Sequence, residues 1–256
     1  MAFPASTCVG RLCVESRYLP SAAGPSGDIH GVVATPFGVR LLIGDVMGRG
    51  QEAHQAGASV LGAWSELARS EPSLAGIAVR LHGLITRSED PERFVTALLV
   101  NIPGSGRDGQ AGGDDPAAGD LGGLRAELVC CGHPLPLLVR NGAATFIRSF
   151  PFPPLGLLDL ADGWCAASIF ALRDDDRLLL YTDGVSEARD SRGQYFPLSE
   201  HAAAAMSEQN AAPGKPAAGG PAGQHSLDVL MTGLRAHIAD STAGADDALL
   251  VLVRRV

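Results

Sequence analysis

Residues 51–88 carry two helical periodicities back to back, with no strand-like run between them. Over 51–69, Val60, Leu61, Trp64, Leu67 and Ala68 recur at i, i+3, i+4 spacing. Over 74–88, Leu74, Ile77, Ala78, Leu81, Leu84 and Ile85 do the same. Each helix therefore offers one apolar face to a sheet. Two helices in succession argue against a regular alternation of strand and helix.

The rest of the chain reads mainly as strands. The runs 38–44, 93–102, 125–131, 135–140, 144–148, 177–182 and 248–254 are short, apolar and bounded by turn residues. Asn141 and Gly142 separate two of them. Both residues tolerate positive φ, so the pair signals a tight hairpin and antiparallel pairing. Antiparallel strands with consecutive helices predict layered α+β architecture. Two stretches, 103–120 and 210–224, are Gly- and Pro-rich without periodicity, and read as disordered loops inserted into a single domain spanning 1–256.

Of the 256 residues, 46% are hydrophobic and 19% charged, enough to bury a sizeable core, and the net charge is −8. That balance argues against a nucleic acid partner, whose phosphates attract basic surfaces. No apolar run reaches the roughly 18 residues that a membrane span needs, and the N-terminal stretch lacks the pattern of a signal peptide. No membrane association is expected. The five cysteines, Cys8, Cys13, Cys130, Cys131 and Cys165, follow no zinc spacing. They read as reduced, mostly buried thiols of a cytoplasmic protein.

Aspartates stand at the ends of the strand runs. "LLIGD" ends on Asp45 and "RLLLYTDG" on Asp183, while Asp246 and Asp247 open the last strand and Asp28 precedes a strand-like segment. An ionised carboxylate beside a core strand costs several kcal/mol unless it is compensated. Antiparallel neighbours would gather Asp45, Asp183 and Asp246 at one sheet rim. Such a group needs raised pKa values or a cation, and oxygen-only donors suit Mg²⁺ or Mn²⁺. For Asp183-Gly184 alone, a simple Asp-Gly turn is the better reading.

In order along the chain, "SRYLPSAAGPSGD", "IGDVMGRG", "FVTALLV", "CGHPLPLLVRNG", "PPLGLLD", "DDRLLLYTDGVSEARD" and "DDALLVLV" resemble the SpoIIE-like bacterial branch of the metal-dependent protein phosphatases, the PPM or type 2C superfamily. The resemblance runs from about residue 10 to the C-terminus. It implies a four-layer α-β-β-α sandwich, two antiparallel sheets flanked by helices, with two Mn²⁺ or Mg²⁺ ions at the sheet edge. Carried onto this sequence, Asp45 would bridge both ions and the Val46 carbonyl would reach one of them. Asp183 and Asp246 would hold the other, and Asp28 would sit near the second, directly or through water. Asp247 is the alternative to Asp246. Asp45, Asp183 and Asp246 would be the catalytic set, serving attack by a metal-activated water on phosphoserine or phosphothreonine.

Three departures stand out. The family's "GGDFYD" is here "SGDIHG", which puts Gly31 where an aspartate is usual. Arg49 replaces a frequent histidine and becomes a candidate phosphate ligand. Leu249 replaces a threonine. His133 reads as structural, orienting the turn before Pro134. His30 and His54 are weak general-acid candidates. Arg17 reads as a surface ion pair rather than a phosphate ligand, and Glu187 as a support for Asp183 or a helix cap.

The resemblance suggests a phosphorylated anti-sigma-factor antagonist, a small STAS-type protein, as substrate. It leaves a rival, a catalytically degenerate phosphoprotein-binding regulator, and a weaker option, hydrolysis of a small phosphate ester. No sensor segment is recognisable, so regulation is expected from a partner. A second copy of the chain in a homodimer, pressing on 51–69 and 74–88, would act on Asp45 in the same way.

Overall fold

The computed structural model describes residues 6–21, 27–88, 90, 92–104, 123–207, 222–241 and 246–255. One sheet has the order β1 (Ser6–Val9), β2 (Leu12–Leu19), β12 (Ala248–Arg255), β11 (Arg177–Tyr181), β7 (Leu137–Arg140), β8 (Ala143–Phe146). The other runs β10 (Ser168–Leu172), β6 (Leu124–Cys131), β5 (Val95–Ile102), β4 (Gly38–Val46), β3 (Asp28–Thr35). Both are antiparallel, apart from the two-residue β9 (Pro151–Phe152), which joins β6 in parallel.

The sheets face each other, and a helical pair covers each outer side. Leu41, Ile43, Leu98 and Val100 meet Leu178, Leu180, Leu249 and Val251 between the sheets. Trp64 of α1 (Gly50–Ser70) and Ile77 and Leu81 of α2 (Leu74–Ile85) pack on Leu42, Leu99 and Val129 of the second sheet. Ala202 of α4 (Leu198–Ser207) and Leu227, Leu230 and Leu234 of α5 (Ala222–Ile238) cover Leu179, Leu250 and Leu252 of the first. The architecture is the expected α-β-β-α sandwich. Its central strands are buried on both faces, which is why their sequences read as continuous apolar runs rather than alternating ones.

The α1–α2 pair is seated by specific groups. Arg40, on β4, is only 1% exposed and lies over the Phe37 ring. Its guanidinium donates to the carbonyls of Ala68 (2.8 Å), Glu71 (2.5 Å) and Pro72 (2.5 Å), satisfying orphan acceptors at the C-terminal end of α1. Ser73 caps α2, accepting the Gly76 N–H at 3.2 Å. Trp64 wedges under α1 at 2% exposure. Truncating such a side chain to alanine costs about 3–5 kcal/mol.

Several sequence expectations change here. The helix expected over 74–88 stops at Ile85, where the N–H of the capping Thr86 bonds the His82 carbonyl. Residues 222–224 of the expected loop 210–224 belong to α5, while 210–221 and 105–120 lie outside the described residues. The cysteines are not all reduced: Cys8 and Cys13 are directly opposed in the β1–β2 ladder and joined by a disulfide. Cys130, Cys131 and Cys165 are free and buried, as expected. The Asn141-Gly142 hairpin is present, with φ of 51° and 77°. Among the described residues no helix is long and apolar enough to cross a membrane.

Candidate functional site

Asp28, Asp45, Asp183, Asp246 and Asp247, together with Gly27, Gly48 and Arg49, line one cavity of about 190 Å³. It opens where the rims of the two sheets meet. Asp28 starts β3 and is the direct ladder partner of Asp45 near the end of β4. Asp183 follows β11 and begins the one-turn helix α3 (Asp183–Ser186), while Asp246 and Asp247 lead into β12, the neighbour of β11. Each sheet thus contributes part of the carboxylate ring, from strand ends some 140–220 residues apart in sequence by the residue numbers.

Two glycines make room for this. A Cβ on Gly27 would fall 2.3 Å from the Val46 carbonyl oxygen and 2.7 Å from Asp45 Oδ1. Only a glycine fits against both oxygens. A Cβ on Gly184 would lie 1.8 Å from the Asp247 carbonyl oxygen, so only glycine lets α3 start against the β12 entry. The "DG" at 183–184 therefore serves a close backbone approach, which the simple turn reading does not require.

Crowded, partly buried carboxylates hold their protons. Burial, and then the neighbouring Asp45, Asp183 and Asp247, push Asp28 up to about 8, against a weaker lowering by the Thr182 hydroxyl. Burial, Asp183, Asp246 and Asp247 push Asp45 up to about 7, with Arg49 acting the other way. Asp183 is also raised, by burial, then Asp246 and Glu187. An electrostatic deficit of this kind is what a divalent cation relieves.

The donor set fits such an ion. All side-chain donors are oxygens, which suits Mg²⁺ or Mn²⁺. A cation already stands at the ring: Arg49 Nη2 is 2.9 Å from Asp246 Oδ2, with both side chains about half exposed (55% and 50%). Among the described residues no group of three or more His, Cys, Asp or Glu forms a ready-made ligand cluster.

Asp246 and Asp247 differ. Asp247 is buried and its carboxylate is engaged by the protein: Oδ1 accepts from Tyr18 O–H (2.5 Å) and Ser21 N–H (2.9 Å), and Oδ2 from Ser21 Oγ (3.2 Å). Asp246 accepts the Asp247 N–H on Oδ1 and presents Oδ2 to Arg49. Asp246 is thus the freer carboxylate, and Asp247 ties the entry of β12 to Tyr18 and Ser21.

The other sequence candidates separate clearly. Gly31 faces away from the cavity; a Cβ there would meet Trp64 at 2.5 Å and Leu61 at 2.8 Å. The absent aspartate is therefore a packing accommodation for α1 and takes nothing from the rim. Arg17 pairs with Asp228 of α5 at 2.6 Å. His30 is buried, and burial lowers its pKa to about 4. His54, on α1, is not among the residues lining the cavity. Glu187 borders an adjoining cavity of about 230 Å³ that shares Asp183 and Asp246 with the ring.

Sequence reading missed Thr182, Thr96 and Tyr18. Thr182 is fully buried; its hydroxyl lies 3.4 Å from Asp28 Oδ2 and accepts the Leu249 N–H at 3.0 Å. It thereby ties β3 of one sheet to β12 of the other, at the position where a threonine was expected on β12 itself. Nothing local in the sequence marks such a cross-sheet contact.

The family model for stage II sporulation protein E (SpoIIE) matches residues 35–256. Phosphoserine phosphatase RsbP of Bacillus subtilis (strain 168) is 25% identical over 201 residues, covering 72% of this chain and 42% of its own length. The chain thus spans less than half of that curated relative. A structure of the RsbU and RsbW domains of Rv1364c from Mycobacterium tuberculosis superposes with a TM-score of 0.74 at 19% identity, covering 98% of this chain and 62% of that one. RsbX in complex with magnesium gives 0.62 at 14% identity, with 98% of each chain covered. The structural likenesses establish the fold.

Proposed function

The chain belongs to the SpoIIE family, and from that premise we propose that it is a metal-dependent protein phosphatase acting on phosphoserine or phosphothreonine. In this reading residues 1–256 form one cytoplasmic phosphatase domain. The observation that carries the proposal is the ring of aspartates from two sheets around one cavity, with Asp28 and Asp45 pushed up to about 8 and about 7.

Asp45 and the Val46 carbonyl, with Asp28, would hold one of two Mg²⁺ or Mn²⁺ ions. Asp45, Asp183 and Asp246 would hold the other. When bound, the ions would supply an activated water and neutralise the phosphate oxygens. Asp45 and Asp183 come from facing sheets, so the chain sets the spacing between ligands rather than leaving it to a flexible loop. Arg49 is positioned to exchange its contact with Asp246 for a phosphoryl oxygen.

The likeness to phosphoserine phosphatase RsbP supports a phosphoserine substrate, and we assign a phosphorylated STAS-type anti-sigma-factor antagonist to the cleft. Residues 47–49 alone connect the end of β4, next to Asp45, to α1. A regulator, or a second copy of the chain, pressing on α1 and α2 would therefore reach the ring. The exposed Val79 and Leu84 of α2 support such a surface.

The test is turnover of an aryl phosphate and of a phosphoserine protein under Mn²⁺ and Mg²⁺ titration, with Asp45→Asn and Asp183→Asn as controls. Metal-dependent turnover lost in both variants is expected. A folded protein that binds phosphoprotein but shows no turnover at any metal concentration would instead establish the degenerate binder. That rival drew support from Gly31 and Arg49, and the packing of Gly31 against Trp64 removes the first.

A further inference from the structure

His133 lies in the connection between β6 and β7 and is only 6% exposed. Its Nε2 is 3.1 Å from the Tyr181 carbonyl oxygen. A carbonyl can only accept, so Nε2 carries the proton and Nδ1 is a lone pair. Thr96 Oγ1 is 3.1 Å from that Nδ1 and 3.5 Å from its other acceptor, the Asp45 carbonyl oxygen, so the shorter contact, to the lone pair of Nδ1, takes the hydroxyl proton. The same hydroxyl accepts the Asp45 N–H at 3.3 Å. The Cys130 thiol, donating to the His133 carbonyl at 3.0 Å, holds the local backbone.

The result is a directional line: Asp45 N–H to Thr96 O–H, to His133, to Tyr181 C=O. Its ends are informative. Thr96 is the ladder partner of Asp45 in the second sheet, and Tyr181 precedes Asp183 by two residues at the end of β11 in the first. Most of the inter-sheet contact is apolar side chains, which fix distance but not direction. Hydrogen bonds with assigned donors fix both.

We propose that His133 and Thr96 are positioning residues that set the spacing of Asp45 and Asp183 across the cleft, and with it the affinity for divalent metal. The inference rests on the reading of those aspartates as metal ligands. His133 does not transfer protons in it. Both its nitrogens are engaged, and burial holds the ring neutral, with the pKa pushed down to about 3.

Two measurements test this. The first is imidazole ¹⁵N NMR on the intact wild-type chain with chelator present. The expected result is a neutral Nε2–H tautomer for His133 throughout pH 5–9; an Nδ1–H tautomer or a cationic ring overturns the proposal. The second is calorimetric Mn²⁺ titration of wild type, Thr96→Val and Thr96→Ser, with thermal unfolding of each. Thr96→Val is expected to fold and to lose about 10–100-fold in Mn²⁺ affinity, the usual effect of removing an outer-shell partner. Thr96→Ser, which keeps the hydroxyl, is expected to recover most of it.

A folded Thr96→Val with wild-type Mn²⁺ affinity, beside a wild type that turns over aryl phosphate, overturns this inference and leaves the phosphatase reading standing. A wild type that neither binds Mn²⁺ nor turns over substrate refutes the ligand reading and this inference with it. Should Thr96→Val fail to fold, the tautomer measurement on the wild type still decides.

Discussion

Asp28 and Asp45 are direct partners across the β3–β4 ladder, so main-chain register alone sets two carboxyl groups side by side at the rim of a sheet. Both retain protons far above the ordinary value of 3.8, at about 8 and about 7. The crowding that raises them is also what prepares the rim for a cation.

A pH dependence follows from the sign of these shifts. Both groups bind protons more tightly in the folded chain than in the unfolded one. The stability they confer is full below about pH 4 and is lost as pH rises through 7 and 8. With chelator present, the thermal midpoint should fall between pH 5 and 9. Saturating Mg²⁺ or Mn²⁺ should abolish the fall, and Asp45→Asn should shrink it without metal. Because the carboxyls interact, the titration belongs to the set. A midpoint that rises over this range in chelator would contradict the arrangement of the ring.

Restoring the family's aspartate at Gly31 should harm the protein. The new Cβ would sit 2.5 Å from Trp64, with a carboxylate behind it against the α1 interface. Overpacking of this kind costs about 1–3 kcal/mol, before any cost of burying the charge. Gly31→Asp is expected to lower the denaturation midpoint and to leave Mn²⁺ affinity no better than wild type. Tighter metal binding would mean that residue 31 reaches the rim after all.

Gly184→Ala probes the approach of α3 to β12. Its Cβ would overlap the Asp247 carbonyl at 1.8 Å, so the Asp246–Asp247 entry must move. Metal affinity should drop along with stability. Gly62→Ala is the control: it lies in α1, and a Cβ there meets nothing within 4 Å. That substitution should stabilise the helix by up to about 1 kcal/mol and leave metal binding unchanged. Unaltered metal affinity in Gly184→Ala would show the rim to be more compliant than its packing implies.

Arg49→Ala separates a phosphate role from a stabilising one. Its ion pair with Asp246 is half exposed, and such pairs contribute about 0–1 kcal/mol. The thermal midpoint should therefore move by no more than about 2–4 °C. Inhibition by inorganic phosphate should weaken by about tenfold, the scale of one charge-assisted hydrogen bond. Unchanged phosphate inhibition would confine Arg49 to its contact with Asp246.

Much of the fold was legible locally. The runs at 38–44, 125–131 and 248–254 are strands because they are apolar and short, and the Asn141-Gly142 pair turns because both residues accept positive φ. Other elements hid. β2 carries Glu15, Ser16 and Arg17, which break its apolar pattern. In the fold the buried Glu15 meets Arg254 at 3.3 Å and Arg17 reaches Asp228. The start of α5 hid because residues 222–224 continue a Gly- and Pro-rich stretch.

By itself the sequence determined the candidate aspartates, the layered class and the two helices after Asp45, since each is written in residues close together in the chain. Tertiary structure alone decided the rest. It engaged Asp247 with Tyr18 and Ser21 while leaving Asp246 toward the cleft, turned Gly31 toward Trp64, and ran the His133 line between the sheets. Periodicity records whether a side chain is buried. Which partner it meets depends on the register and facing of strands far apart in sequence, and that is fixed only when the two sheets close on each other.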